Sequence, residues 1–399
     1  MPHFLAPHIV IPPLPCTIGD YHFVYEAKKY GDDKQSLILV RFDDQEFYLR
    51  KVQRNDSQHN EILKCEKNTR IKPTGIIKNA LKILCDTQES VISHNLNNNS
   101  IRQNLQSDYL KSIAFFTNFT ESFILEIGFG SGRHLLHLAK ENPHTICVGI
   151  EIHTPSIEQI LRQIQIENLN NLYIINCDAR ILLEIMPDNL AQAIYIHFPV
   201  PWHKKPHRRV FSEIFLQQAL RVLQPNGMLH LRSDDEQYFT DSLHIALRLD
   251  SLKMHIYKNQ QASVVSKYEA RWKRQCKNIF DLQIFKNTSI DNTPTKNTQN
   301  IQKTFHFDKI LRKNLDNYIN YPSKILEKDW FLHIDSLYKA HNIYVLMLCF
   351  GDFNQPQNKF LHIEFREDET KSWYVGGDPI PTNAAVKAHQ YLKKILMKE

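Results

Sequence analysis

The chain has 399 residues, a length that suits two or three domains and a core large enough to need neither disulfides nor metals. Its 49 Lys and Arg against 43 Asp and Glu leave a net charge of +6, a mild excess that permits a nucleic-acid partner without demanding one. Seven cysteines at irregular spacings form no C-x-x-C pair, which excludes a zinc ribbon; no metal is expected, and free thiols in a reducing cytoplasm are.

The N-terminus runs from Met1-Pro2-His3-Phe4 into Ile11-Pro12-Pro13-Leu14-Pro15, without the basic start and apolar stretch of a signal peptide. Residues 1–95 read as an α+β accessory module: strands at Leu37–Val40 and Phe47–Leu49, then Pro73-Thr74 opening a helix. A connecting segment, 96–115, begins in the Asn-rich run around Asn97-Asn98-Asn99.

From 116 to 287 strands alternate with helices. Phe123–Ile127 is a short apolar run ended by glycines, followed by a helical pattern through Leu135, Leu138 and Ala139. Ile146–Ile150 is a second strand, and Pro155 suits the first turn of a helix reaching Glu167. Leu172–Ile175 and Ala193–Phe198 are the third and fourth strands. Phe211–Leu223 is an amphipathic helix, Pro225-Asn226-Gly227 a turn and Met228–Leu231 the fifth strand. This alternation implies an α/β domain, a Rossmann-like parallel sheet with helices on both faces.

Asn287 to Thr304, rich in Asn, Thr, Lys and Gln, cannot bury itself, so 288–304 is a polar linker. Residues 305–399 form a second α+β accessory module. Its Ile343–Phe350 is the longest apolar run of the chain, far short of the roughly 20 residues that cross a bilayer, so no membrane partner is expected. Tyr25–Phe42 and His333–Phe350 match in length without a gap, each ends in an apolar strand, and each precedes another strand and a Pro-Thr helix start. Two readings stay open, an internal duplication and a chance likeness of two small α+β segments.

The sharpest local signal is Glu126-Ile127-Gly128-Phe129-Gly130-Ser131-Gly132, which follows a strand and opens a helix. Glycines there allow a tight turn and close approach of a ligand to the backbone. A dinucleotide fingerprint would need glycine at 133, where Arg133 stands. The pattern G-x-G-x-G preceded by an acid resembles the first motif of class I methyltransferases, and acids end three successive strands. On that resemblance, Glu126 lies near the methionine end of S-adenosylmethionine, Glu151 is placed for its ribose diol and Asp178 for the exocyclic amine of its adenine. The fourth strand runs into His197-Phe198-Pro199-Val200-Pro201-Trp202-His203-Lys204-Lys205-Pro206-His207-Arg208-Arg209. Lys204, Lys205, Arg208 and Arg209 in this loop could neutralise RNA phosphates. Trp202 or Phe198 could stack on an extruded base or simply pack the loop.

This stretch resembles the F-P-D-P-W-x-K-K signature of the bacterial tRNA (guanine-N7)-methyltransferase family. Glu126 to Gly130 resembles that family's E-I-G-F-G, Gly149–His153 its G-I-E-x-H, Leu229–Asp234 the strand carrying its T-D pair, and Ser266-Lys267-Tyr268-Glu269-x-Arg271 its T-K-F-E-x-R. The match covers the middle of the chain and neither end segment. It implies a class I methyltransferase fold, S-adenosylmethionine as donor, and tRNA as partner, methylated at N7 of the variable-loop guanine, position 46. By motif, Glu126, Gly128, Gly130, Gly132, Glu151 and Asp178 bind the cofactor. Lys204, Asp234, Ser266, Lys267, Tyr268 and Glu269 contact the substrate. The acid in the middle of F-P-D-P-W falls on Val200 here.

Guanine N7 carries an in-plane lone pair and no proton, so attack on a sulfonium methyl needs no general base. The product ring is cationic, which makes Asp234 the first candidate for catalytic charge stabilisation, with Asp235 and Glu269 behind it. A cytoplasmic monomer is expected. The competing readings are an RNA methyltransferase for another site and a tRNA-binding protein that has lost catalysis.

Overall fold

The computed structural model describes residues 1–55, 60–69, 71, 74–97, 107–250, 252–261, 277–287, 305–318, 323–353, 356–367 and 369–397. The expected substrate run Ser266-Lys267-Tyr268-Glu269 lies outside them. The chain divides into two compact units, Met1–Asn104 together with Asn300–Glu399, and Leu105–Gln299.

The first unit opens with β1 (His3–Ala6), β2 (Cys16–Ile18), β3 (Tyr21–Lys29), β4 (Asp32–Phe42), β5 (Gln45–Gln53), β6 (Glu61–Cys65), helix α1 (Thr74–Asp86) and β7 (Ser93–His94). Apolar residues of α1, among them Ile77, Leu81 and Leu84, pack on Phe23, Ile38, Val40, Phe47 and Leu49 of the sheet.

The second unit holds β8 (Phe123–Ile127), α2 (Arg133–Glu141), β9 (Ile146–Ile150), α3 (Thr154–Ile166), β10 (Leu172–Ile175), α4 (Ala179–Ile185), β11 (Ala191–His197), α5 (Glu213–Val222), β12 (Leu223–Ser233), α6 (Glu236–Ala246), β13 (Lys253–Lys258) and β14 (Phe280–Phe285). Its sheet order is β10-β9-β8-β11-β12-β14-β13. Every residue of β8 is buried, as a central parallel strand covered on both faces requires. On one face, Ile124, Cys147, Leu172 and Ala193 meet Leu135 and Leu138 of α2 and Ile157, Ile160 and Ile164 of α3.

Two features differ from the sequence expectation. The sheet is mixed, because β14 runs antiparallel to both β12 and β13. The fifth strand also starts earlier, at Leu223: the Pro225-Asn226-Gly227 stretch is absorbed as an irregularity where pairing with β11 jumps between Ala191 and Ala193. Described cysteines are free thiols, and burial pushes Cys147 and Cys177 up to about 12, so they pack as small apolar groups.

The chain returns to the first unit with α7 (Arg312–Asp316), β15 (Lys324–Leu326), β16 (Phe331–Ala340), β17 (Ile343–Gly351), β18 (Pro356–Phe365), β19 (Thr370–Val375) and α8 (Asn383–Met397). The two end segments, read from sequence as separate modules, share one twelve-stranded sheet ordered β19-β18-β17-β16-β3-β4-β5-β6-β1-β7. β16 pairs antiparallel with β3, setting Tyr338 opposite Lys29 and Lys339 opposite Lys28. Outward from that pair, β3-β4-β5-β6 and β16-β17-β18-β19 are each a meander in chain order followed by one helix, and β1 and β7 extend the first half alone. A short strand also pairs with each central strand, β2 on β3 and β15 on β16. Both hairpins carry a register shift, between Phe23 and Tyr25 and between Ile334 and Ser336. Matching strand orders and matching bulges support the duplication. The ungapped pairing of the sequences holds in β4 and β17 and slips in β3 and β16, because the first hairpin is longer.

Between the halves lies a shared core of Tyr25, Ala27, Leu39, Tyr48, Tyr338, Val345, Phe360 and Val375. Tyr48 and Phe360, equivalent positions in β5 and β18, stand 5.2 Å apart by ring centroid. The Tyr25 hydroxyl is 2.8 Å from that of Tyr48 and 2.7 Å from Nδ1 of His362. Burial first, then Arg41, pushes the His362 imidazole down to about 3, so it joins this network uncharged at neutral pH. A core shared in this way couples the halves. Phe360→Ala should cost about 3–5 kcal/mol and lower amide-exchange protection in β4 and β5 as well as in β17 and β18. Protection lost only in the C-terminal half would mean two independent modules.

Candidate active site

Between β8 and β11 the strand order reverses, and open α/β sheets bind ligands at the carboxyl ends of strands at such a point. The sequence-predicted acids of the first three strands are brought to this end. Glu126, in β8, is 3% exposed, and its Oε2 lies 3.2 Å from Nδ1 of His134 on the first turn of α2. Neither atom completes a hydrogen bond among the described residues. Glu151 follows β9. Its Oε1 accepts from the backbone N–H groups of Ile152 and His153, and its Oε2 from that of Gly130, 3.0 Å away. Asp178 caps α4 by accepting from the N–H of Arg180, whose guanidinium also returns to the same carboxylate.

Gly128, Gly130 and Gly132 all have positive φ, as the turn from strand to helix requires. Gly132 has a second reason to lack a side chain: a Cβ there would lie 2.2 Å from Cδ1 of Ile160 on α3. The glycine turn is thus held by backbone conformation, by helix packing and by the Glu151 carboxylate.

Across the reversal, β11 delivers the Pro-rich loop. Phe198 and Trp202 adopt left-handed backbone, with φ of 52° and 45°. Such conformations cost bulky residues about 1–3 kcal/mol each and persist where surroundings enforce them. Here the N–H of Phe198 donates to the Arg232 carbonyl, 2.7 Å away, and that of Lys205 to the Trp202 carbonyl. Val200 is 62% exposed and Trp202 39%, with the Arg208 guanidinium 5.2 Å from the Trp202 ring centroid.

The basic run does not act as one patch. Lys204, Lys205, His207 and Arg208 are exposed, whereas Arg209 is buried. Arg209 donates from Nε to the Pro201 carbonyl at 2.6 Å, pairs with Asp241 of α6, and lies over the Tyr238 ring. It clamps the loop to α6, so the expectation that it neutralises phosphate is corrected. His203 makes a second link, its Nε2 3.0 Å from Asp235, which also caps α6 by accepting from the Tyr238 N–H. Asp234, at the end of β12, pairs through Oδ2 with Lys277 at 2.9 Å. His203 and Lys277 escaped the sequence reading. His203 sits unmarked inside the basic run, and Lys277 is distant in sequence from every motif it joins.

One face of the sheet carries a polar row: Glu126 on β8, Tyr195 and His197 on β11, His230 and Arg232 on β12, and Asp281 on β14. Asp281 is fully buried and accepts from Arg232 Nη1 at 2.6 and 2.7 Å, with Nε2 of His230 2.8 Å away. The rings of His134, His197 and His230 follow one another at centroid distances of 4.4 and 5.1 Å. Desolvation, then the neighbouring His134, His230 and Arg232, hold His197 well below the usual histidine range. None of the three histidines was singled out from sequence, because only the fold places them side by side.

The division of labour in the loop is open to measurement. Arg209→Ala should destabilise the protein by on the order of 2 kcal/mol through loss of buried charge-assisted hydrogen bonds. Arg208→Ala should stay within about 0.5 kcal/mol. Denaturant midpoints of the two variants decide; equal midpoints would remove the clamp.

A family model described as a putative methyltransferase matches residues 120–282, the span of the sheet just described. Among curated proteins, the tRNA (guanine-N(7)-)-methyltransferase of Helicobacter hepaticus is 63% identical over all of both chains. Its namesake in Helicobacter pylori (strain ATCC 700392 / 26695) is 41% identical, over 99% of this chain and 98% of that one. That of Wolinella succinogenes is 37% identical, over 99% and 100%. These relatives match the β-rich end segments as well as the sheet, and the chain belongs to the tRNA (guanine-N(7)-)-methyltransferase family.

Proposed function

We propose that this chain transfers a methyl group from S-adenosylmethionine to N7 of a guanine in tRNA, the variable-loop guanine at position 46, in the cytoplasm. The observation that carries the reading is the grouping of Glu126, Glu151 and Asp178 at successive strand ends beside the reversal, with an exposed basic loop on its other side.

The residues present fit the donor. A buried carboxylate oxygen that faces His134 but completes no hydrogen bond among the described residues, Oε2 of Glu126, suits the ammonium of the methionine end. Glu151 keeps lone pairs beyond its three backbone bonds, enough for a ribose diol. Asp178, after β10, is assigned to the adenine amine, and Gly128, Gly130 and Gly132 turn the backbone through left-handed conformations. When bound, the donor supplies an electrophilic methyl on a sulfonium.

The chain's own task is to hold guanine in place and to stabilise charge. N7 has no proton to lose, so no residue is needed as a base. The methylated ring is cationic, and Asp234 at the end of β12 supplies the opposing carboxylate. Lys277 holds one of its oxygens and leaves lone-pair capacity on the other. Lys204, Lys205 and Arg208 are exposed for phosphate, and Trp202 presents a ring face for an extruded base. Ser266, Lys267, Tyr268 and Glu269 are assigned to the substrate on the family resemblance alone.

Val200 favours no second reading, because a position that serves no proton transfer can lack its acid and leave the chemistry intact. The test is single-turnover transfer of labelled methyl to unmodified tRNA, followed by nucleoside analysis. Wild type should yield 7-methylguanosine. Asp234→Ala should be slower by roughly a hundredfold or more, as for loss of a charge-stabilising group. Val200→Asp should stay within a few-fold of wild type. Label in another base would redirect the substrate assignment. An inactive wild type that still binds cofactor and tRNA would leave a binding protein.

A further inference from the structure

Cofactor binding gives Glu126 a task but leaves the two imidazoles beside it without one. We infer that Glu126, His134 and His197 form a binding site for a first-row transition-metal ion, of which Zn²⁺ is the representative. One ligand atom from each of the three lies within 4.8 Å of the others. All three donor atoms are buried: Oε2 of Glu126 and Nδ1 of His134 face each other at 3.2 Å without completing a hydrogen bond, and Nε2 of His197 has no hydrogen-bond partner among the described residues. Buried polar atoms without hydrogen bonds are costly, and an ion shared among the three would supply the missing contacts.

The donor set is specific in kind. Two imidazoles and one carboxylate, with a fourth position open, is a recurrent three-ligand arrangement for zinc. Imidazole nitrogen favours zinc, nickel, cobalt and copper over magnesium and calcium, which take oxygen. The scaffold is rigid, since the donors come from β8, the first turn of α2 and the end of β11. An outer layer is present as well: His230 packs on the His197 ring at 5.1 Å and is itself fixed by Asp281. The guanidinium of Arg232, opposite His197 on β12, is neutralised by the same Asp281. His134, 14% exposed at its side chain, gives the ion a way in.

Glu126 is common to this site and to the methionine end of the cofactor, so ion and cofactor exclude one another. That consequence rests on the functional reading above; the ion site itself does not.

The experiment uses the full chain, stripped with a chelator and titrated with Co²⁺ alone, without cofactor or tRNA, while visible absorption is followed. One equivalent should bind with the intense visible bands of low-coordinate cobalt, and Zn²⁺ should displace it. His134→Ala and His197→Ala should each weaken binding tenfold or more, and His137→Ala, on the same helix outside the cluster, should leave it unchanged. His134 lies in the first turn of α2 and keeps partial exposure, so its variant carries the test should the His197 variant fail to fold, with far-UV circular dichroism as the check. Absence of a saturable equivalent, or unchanged affinity in His134→Ala, overturns the site. Methyl transfer is no part of the readout, so failure here and failure of the proposed function remain distinct.

Discussion

The single reversal of strand order between β8 and β11 is the constraint on which the site depends. From β8 the chain winds outward through β9 and β10, then crosses to β11 and winds the other way to β12. Loops on the two sides therefore part at the carboxyl end, and a crevice must open there. Everything assigned to the donor, namely Glu126, Glu151, Asp178 and the glycine turn, lies on one side. The Pro-rich loop and Asp234 lie on the other. The local chemistry reinforces the division. The Gly130 N–H is tied to Glu151, while Phe198 and Trp202 are held in left-handed backbone by a loop that Arg209 and His203 fasten to α6.

The polar row beneath the crevice is uneven along its length. At the β14 end, Asp281 receives Arg232 and His230, and removing Arg232 or Asp281 would strand a buried charge. At the β8 end, Glu126, His134 and His197 each keep a buried atom that completes no hydrogen bond among the described residues. Buried groups that are satisfied make a rigid support, and buried groups that are not are poised for a ligand. The same row is therefore rigid at its β14 end and carries its unsatisfied polar atoms at its β8 end.

Much of the second unit was legible because its central strands are buried on both faces and read as uninterrupted apolar runs. Phe123–Ile127, Ile146–Ile150 and Leu172–Ile175 fall at the predicted residues. β13 and β14 were not legible. Lys253–Lys258 is an edge strand of mostly polar residues, and its pairing with β14 spans a long insertion. In the first unit the hairpins and closing helices could be read locally. The pairing of β3 with β16 could not, since the two strands are separated by almost the whole chain and local propensity carries no information about it. The same limit applies to charge: Arg208 and Arg209 are neighbours of one type, and only packing against Tyr238 and Asp241 makes one exposed and the other buried.

The central claim, that donor and acceptor groups are partitioned across the β8–β11 reversal, is tested most directly by calorimetric titration of the demethylated cofactor product into Glu151→Ala and Asp234→Ala. The account predicts that Glu151→Ala loses at least tenfold in affinity, about 1.4 kcal/mol, whereas Asp234→Ala binds as wild type does. Equal affinities in the two variants, or a loss confined to Asp234→Ala, would contradict it.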